Sequence, residues 1–565
     1  MNPHAYSRDG ATGVWRRPGF DGLAYSDGEA EELAMLAAVR EARDVGTASL
    51  ELRARIADWP TEYHFSPARH NLLRPFSFDR TDRILELGSG CGAMTRYLGE
   101  QGASVLAVEG TLRRAEIAAE RCRDLDNVRV ACDNLATFDT GERFDVVTLI
   151  GVLEYSRRFI EAPDPVLECL RRAGRWLADG GVLILAIENR LGLKYFAGCG
   201  EDHLGRPYTG IEDLYGERTA VTFGRGELSA LLSAAGLPSQ QWYYPFPDYK
   251  IPNVVVAERA LRMQEFDVPA LLFRARSRDY GGRRLRAFDE ALARREVWKN
   301  GLLGDVANSF LVLASVDGRR SRGPGELASA FNVSRYPKYW TAARFHAAGH
   351  SISVQRSYLL PAKREPGRFA HRLVEESYIT GPLLAEALHR LARRGWPVEE
   401  LAKWALPWVT LLKDHALPGA LRDLPPHFID CTPFNCVQGP RGLAYIDAEW
   451  SADSPVPLSW VFIRGMLHSL GQCIDPLPSA WTHRELVERV ARYVGPAITP
   501  ADFDLAEKWE RAFQAQVRPP ADALETLATG ERDVFAELEG LRNSRVFRLA
   551  QRLRRGVGLL RRLGR

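Results

Sequence analysis

Two stretches of this chain carry side chains whose types and order could do chemistry. In "FIDCTPFNCV" (428–437) Asp430 precedes Asn435 by five residues, and "YIDAEW" follows with Asp447. Carboxylate, amide, carboxylate is an order of oxygen donors that can hold magnesium beside a nucleotide. Far upstream, "DRILELGSGCGAMTRYLGE" (82–100) runs a short apolar strand into a glycine-rich turn and a helix start. Gly88, Gly90 and Gly92 allow a tight turn and close approach of backbone to a ligand. Glu86 lies inside that first strand. A second strand, "SVLAVE", ends at Glu109, where a carboxylate can accept both hydroxyls of a ribose. Asp133 and Asn134 follow a third, with Asp133 placed to meet an adenine amino group. The glycines alone would also suit a dinucleotide. The acids around them decide for a nucleoside.

These residues need a frame. "RFDVVTLIGVLEY" gives a fourth strand ending in Glu154 and Tyr155, and "GGVLILAIEN" a fifth. Strands alternating with helical stretches predict a doubly wound α/β sheet. After the fifth strand comes a long loop (188–216) that mixes Asn189, Arg190, Lys194, Asp202 and His203 with several tyrosines. Loops of this length are functional or disordered, and interleaved aromatics argue against disorder.

The series resembles the class I S-adenosylmethionine-dependent methyltransferases over roughly residues 60–258. That resemblance implies a Rossmann-like domain with Glu86 and the glycines near the amino-acid part of the cofactor. It implies Glu109 on the ribose, with Asp133 and Asn134 near adenine. Longer motifs, "YHFSPARHNLLRP", "ELGSGCGAMTRYL", "NRLGLKYFAG" and "YYPFPDYK", resemble bacterial methyltransferases associated with cell-surface polysaccharide synthesis. The implied acceptor is a glycan, a glycolipid or a nucleotide-sugar, with glycosyltransferases as partners. For a hydroxyl acceptor the enzyme must align two reactants and remove a proton. His203, flanked by Asp202, is the expected base, because an imidazole accepts a proton near neutral pH. Glu154 is expected to hold the acceptor or the methionine amino group. Tyr155, Asn189, Arg190 and Lys194 are expected to face the acceptor. "YHFSPARH" (63–70) is expected to form a lid, with Tyr63 and Arg69 over the cofactor, and "YYPFPDYKIP" (243–252) to close the same mouth.

From about Asn308 the texture changes. "SFLVLAS" and "SISVQRSYLL" read as short strands, and "EELAKWALPWVTLLKDH" (399–415) as a helix with Leu401, Trp404, Trp408, Leu411 and His415 on one face. "CVQGPRGLAYI" reads as two short strands about a turn, a hairpin able to bring Asn435 and Asp447 together. The order of these residues resembles the aminoglycoside phosphotransferase and choline kinase-like fold. That resemblance implies Asp430 as base, Asn435 and Asp447 as magnesium ligands, and ATP as a second cofactor. Phe428 stands where that family has His, "DAE" (447–449) replaces Asp-Phe-Gly, and no glycine-rich loop precedes them. The expected unit is therefore kinase-like in fold, and a nucleotide-binding or positioning role is preferred over phosphate transfer.

A chain of 565 residues exceeds one core. The expected division is 1–60, a helical extension; 61–258, the methyltransferase domain; 259–305, an Arg-rich helical linker; 306–528, the kinase-like domain; and 529–565, a basic amphipathic tail. Net charge is only +3, because 75 basic residues face 72 acidic ones. The tail is the exception: "RNSRVFRLAQRLRRGVGLLRRLGR" (542–565) has nine arginines and no acid. As a helix it lines Val546, Leu549, Leu553, Val557 and Leu560 along one side, the pattern of a membrane-surface segment. No readout module accompanies it, so nucleic acid is not an expected partner. Eight cysteines without a CxxC pair point to reduced thiols. With neither a signal peptide nor an apolar run of about 18 residues, the expected location is the cytoplasm, at the inner face of the membrane. The expected function is methylation of a sugar hydroxyl in polysaccharide synthesis. A kinase–methyltransferase acting on a glycan terminus and a non-catalytic scaffold for glycosyltransferases are the alternatives.

Overall fold

The computed structural model describes residues 6–519 and the backbone of 532–533, apart from 27, 283–284, 319–322, 350, 364–366, 419–421, 479–480 and 496. The basic tail expected at 529–565 thus lies, but for that dipeptide, outside the described residues.

Thirteen strands form one mixed sheet. They are β1 (Ser7–Arg8), β2 (Trp15–Arg16), β3 (Arg83–Leu87), β4 (Ser104–Glu109), β5 (Val128–Cys132), β6 (Phe144–Ile150) and β7 (Leu177–Glu188). Then come β8 (Ser239–Phe246), β9 (Val254–Ala257), β10 (Ser309–Ser315), β11 (Ala328–Asn332), β12 (Thr341–Ala348) and β13 (Ser351–Tyr358). Their order is β1-β2-β5-β4-β3-β6-β7-β10-β8-β9-β11-β12-β13. The stretch β5-β4-β3-β6-β7 is parallel. Its strands are apolar on both faces, as helix-covered parallel strands must be; Ile84, Leu85, Val146 and Val147 have no exposed surface. From β3 the chain winds to β4 and β5 on one side, then to β6 and β7 on the other. The carboxyl ends at such a reversal are where open α/β sheets take ligands. This half is a Rossmann-like doubly wound fold, as the sequence predicts.

Three boundaries differ from expectation. First, β10, expected in the second domain, lies antiparallel between β7 and β8, Leu311 facing Ala186 on one side and Tyr243 on the other. All seven of its residues are buried, and a strand apolar on both faces belongs inside a sheet rather than at the start of a new one. Second, the sheet does not stop at 258: β9 pairs with β11, and β12 and β13 carry the ladder onward. Third, residues 1–60 are more than a helical extension. β2 pairs in parallel with β5 and lengthens the sheet. Helix α1 (Glu29–Glu41) buries Met35, Leu36 and Val39 in a cluster with Ile117 of helix α4; α2 is Trp59–Phe65, α3 Ala93–Glu100 and α4 Leu112–Arg121.

The expected linker 259–305 packs inside the molecule. Arg295, on helix Glu290–Lys299, bonds both Asp267 and Glu386. Beyond it, helices Leu384–Ala392, Val398–Asp414, Leu458–Leu470, His483–Val494 and Pro500–Val517 share a core around Trp408 and Trp460. On Val398–Asp414 the residues Leu401, Trp404 and Trp408 are buried as predicted, whereas His415 stands exposed past the helix end. Among the described residues no helix is long and apolar enough to cross a membrane.

Candidate active site

The glycine turn leaves β3 with Gly88 at φ +75°, a conformation open to glycine. A Cβ there would stand 2.4 Å from Val152, in the turn after the neighbouring strand β6. The Gly88 N–H donates to the Val108 carbonyl at 2.8 Å, and the Gly90 N–H donates to Glu109 Oε2 at 2.8 Å. Glu109 Oε1 accepts the Thr111 N–H at 3.1 Å. One carboxylate thus braces the turn against the end of β4. Glu86 lies behind the turn and accepts the Thr95 hydroxyl at 2.6 Å; burial pushes its carboxyl up to about 7.

A cavity of about 350 Å³ opens above these strand ends. Gly88, Glu109, Asp133, Asn134, Tyr63, Glu154, Tyr155, Asp202 and His203 line it, so nine of the predicted site residues share one space. Glu86, Gly90, Gly92 and Arg69 stand behind its wall. Asp133 has partners already: the Tyr6 hydroxyl donates to it, Arg17 lies at 2.9 Å and its neighbour's N–H at 2.8 Å. The expected adenine contact is therefore shared with the N-terminal hairpin. Arg69 donates to the Tyr63 hydroxyl and to the carbonyls of Tyr249 and Lys250, at 2.8–3.0 Å. It ties α2 to the segment after β8 rather than reaching a ligand.

Acids dominate the far end of the cavity. Glu154, in the short turn after β6, is wholly buried, and neither carboxylate oxygen has a hydrogen-bond partner. Burial, and then the nearby Glu188 charge, push it up to about 8. Glu188 closes β7. Burial alone would raise its carboxyl, but Lys250 and His203 draw it well below the usual range. The Lys250 ammonium bonds Glu188 Oε1, and Oε2 lies 3.5 Å from His203 Nε2. His203, the expected base, stands beside these acids in the cavity wall. Burial opposes its charge, yet Glu188, Glu154 and Glu201 push the imidazole up to about 9. Its Nδ1 lies 3.1 Å from the Tyr155 hydroxyl.

Other expectations also change. Asp202 does not orient His203; its carboxylate is held by Lys194, at 2.8 Å, and by Lys250. Lys194 is wholly buried between Asp202 and Asp248, so it braces the wall and does not meet an acceptor. Asn189 is buried too, its amide donating to the carbonyls of Asp305 and Ala307. Arg190 turns away, to the Thr222 carbonyl and toward Asp213 and Glu227. Sequence reasoning passed over Glu188 and Lys250. Both sat in quoted motifs, one ending "LILAIEN" and the other in "YYPFPDYK", and their charge at a strand end and in a closing turn was the available signal.

The second candidate site assembles differently. The predicted hairpin forms, with Cys436–Gly439 paired to Gly442–Tyr445, and the Ile446 N–H donates to the Asn435 carbonyl at 2.8 Å. Arginines occupy the side chains meant for metal. Arg464 bonds Asp430, and Arg274 donates to Asn435 Oδ1 at 3.0 Å. Arg356 lies 3.3 Å from Asp447, whose φ is +63°. Burial and then Glu449 raise the Asp447 carboxyl to about 6, whereas Asp430 is held low against its burial by Arg464. Between the two units runs a larger cleft of about 1280 Å³, with Arg274, Arg276 and Arg278 in its wall; Trp59 borders both spaces.

Residues 85–183 match the model of a methyltransferase-domain family. The chain thus carries a class I S-adenosylmethionine-dependent methyltransferase domain, the class that fold and turn define. The ribosomal RNA small subunit methyltransferase A of Streptococcus mutans is 37% identical over 65 residues, 12% of this chain and 22% of that protein. Its Streptococcus uberis counterpart is 39% identical over 61 residues, 11% and 21%. The chain therefore spans about a fifth of the length of these curated relatives. Similar solved structures include phosphoethanolamine N-methyltransferase 2 of Haemonchus contortus, 17% identical over 44% of this chain and 52% of that one, TM-score 0.27. The CcbJ methyltransferase of Streptomyces caelestis is likewise 17% identical, over 44% and 89%, TM-score 0.27.

Proposed function

We propose that this chain methylates a hydroxyl group of a lipid-linked or nucleotide-linked glycan in cell-surface polysaccharide synthesis, with S-adenosylmethionine as donor. One observation carries the reading: a single cavity joins the glycine turn and Glu109 to Glu154 and His203, behind which Glu188 lies. The residues fit the cofactor, since the glycine turn brings Gly88 backbone to the cavity wall and Glu109 stands beside it at the second strand end. When bound, S-adenosylmethionine supplies a methyl group on a sulfonium, which leaves as a neutral thioether.

The chain's own residues do the rest. The Gly88 turn lets backbone approach the donor, and Leu135, Val152 and Ile160 give an apolar wall to a purine. Tyr25 and Tyr155 pack edge-to-face at 5.8 Å, with Phe159 at 6.1 Å from Tyr25, a surface on which a sugar ring can lie. The acceptor hydroxyl meets the unpartnered Glu154, which in its ionised form takes up the proton as the new bond forms. The arginine-bordered cleft seats the phosphate of the glycan carrier.

The second unit, read as kinase-like, positions this acceptor. Arginines on Asp430, Asn435 and Asp447 disfavour the alternative of a kinase–methyltransferase that needs ATP and magnesium. The tail at 542–565 supports a place at the inner leaflet, where each arginine contributes roughly 1 kcal/mol. The test is transfer of labelled methyl to the host's glycolipid fraction with and without ATP and magnesium. Label without ATP is expected; label only with ATP would transfer the chemistry to the second unit first.

A further inference from the structure

We infer that Glu154, Glu188 and His203 form a binding site for one divalent cation of the manganese or zinc class, set at the acceptor end of the cavity. The three come from separate elements: the turn after β6, the end of β7, and the long loop that follows. Each offers one ligand atom, and these atoms lie within 4.8 Å of one another; among the described residues no other group of three or more His, Cys, Asp or Glu does so. Side chains drawn so close to one another need only small shifts to reach bonds of about 2.0–2.2 Å to a shared ion.

A second observation is independent of the clustering. Glu154 Oε1 and Oε2, Glu188 Oε2 and His203 Nε2 are all buried without a hydrogen-bond partner. Glu154 and Glu188 are 0% exposed. A buried carboxylate left unpaired is costly, and such groups are paired or bind metal. No lysine is to spare for Glu154: Lys250 is taken by Glu188 and Asp202, and Lys194 by Asp202 and Asp248. The outer groups suit a metal centre. His203 Nδ1 lies 3.1 Å from the Tyr155 hydroxyl, which fixes the ring and leaves Nε2 for the ion, and Lys250 holds the far oxygen of Glu188.

One imidazole nitrogen with two carboxylates favours manganese, iron(II) or zinc over magnesium and calcium, which take all-oxygen sets. Three protein ligands leave positions open toward the cavity, where an acceptor oxygen would complete the shell and be polarised. That role rests on the methyltransferase reading; the binding itself does not.

The experiment uses the full-length protein stripped with chelator, then titrated with manganese(II) chloride while the paramagnetic resonance signal of free ion is followed. Binding of S-adenosylhomocysteine is measured in parallel by calorimetry. The wild type is expected to take up one ion per chain, and Glu154→Gln, Glu188→Gln and His203→Gln each to weaken uptake roughly tenfold or more. Asp447→Asn is expected to leave uptake unchanged, and melting curves verify that each variant is folded. No uptake by folded wild type, with manganese or with zinc, overturns the site; so does uptake that all three variants retain. Uptake without S-adenosylhomocysteine binding would keep the metal site and sink the methyltransferase reading instead.

Discussion

Two sets of acids sit in the two halves of this molecule, and the fold treats them in opposite ways. Asp430 and Asp447 each have a guanidinium against them. Glu154 has neither cation nor donor on either oxygen. The acids the motif marks as a metal site are filled by the protein's own arginines. The acid at the end of a plain "GVLEY" stands open. A carboxylate already paired inside the fold contributes to structure, whereas one buried and unpaired is held ready for something that arrives.

Breaking each side should give contrasting results. Glu154→Gln is expected to cut methyl transfer by about 10²–10⁴-fold, the usual loss with a group that handles a proton, while its melting temperature holds or rises. A variant that melts earlier yet transfers normally would reverse the comparison. Arg464→Ala takes the nearest guanidinium from the partly buried Asp430, with Arg335 and Arg274 still at hand, and should cost about 1–3 kcal/mol in chemical denaturation. Methyl transfer by the fraction still folded should persist.

Glu86 sharpens the same point by pH. Its carboxyl sits near 7 in the fold against 4.5 in an unstructured chain, so the folded state holds the proton more tightly. Its contribution is then intact below pH 4.5 and is lost as pH rises toward 7, by up to about 3 kcal/mol. Glu86→Gln should therefore gain over wild type progressively across that window, and a constant difference in melting temperature would contradict the assignment. Gly88→Ala, strained at positive φ and facing Val152, should cost about 1–3 kcal/mol and abolish binding of S-adenosylhomocysteine. Smallest of all is Asp447→Ala, for which labelled-methyl assays should read within about twofold of wild type, as expected for a group outside the chemistry.

The cofactor half of the site was legible because its signals are local. Glycines at a turn and acids at successive strand ends lie within a few residues of the strands that place them. The acceptor half was not. Asp202 and His203 adjoin in sequence, yet one reaches Lys194 and the other Tyr155 and Glu188, since neighbours in a loop need not point the same way. Glu188 closed an apolar run and was read as part of the strand. In the second unit the hairpin was visible from its turn. Arg274, 161 residues before Asn435, was not, because only the fold brings it there. "SFLVLAS" read correctly as a strand, but pairing partners far away in the chain decide which sheet a strand joins.

That strand has a further consequence, for how the chain comes into being. β10 fills the gap between β7 and β8, and some fifty residues of other structure separate it from β9. A ribosome that has made everything through β9 has therefore produced a sheet split down the middle, two unpaired edges facing each other. The domain cannot close until Ser315 has emerged, and by then residues 259–305, whose Arg295 pairs with Glu386 of the adjoining unit, are already made. The two halves are thus born entangled, and a gene cut after β9 would yield an open sheet rather than a smaller enzyme.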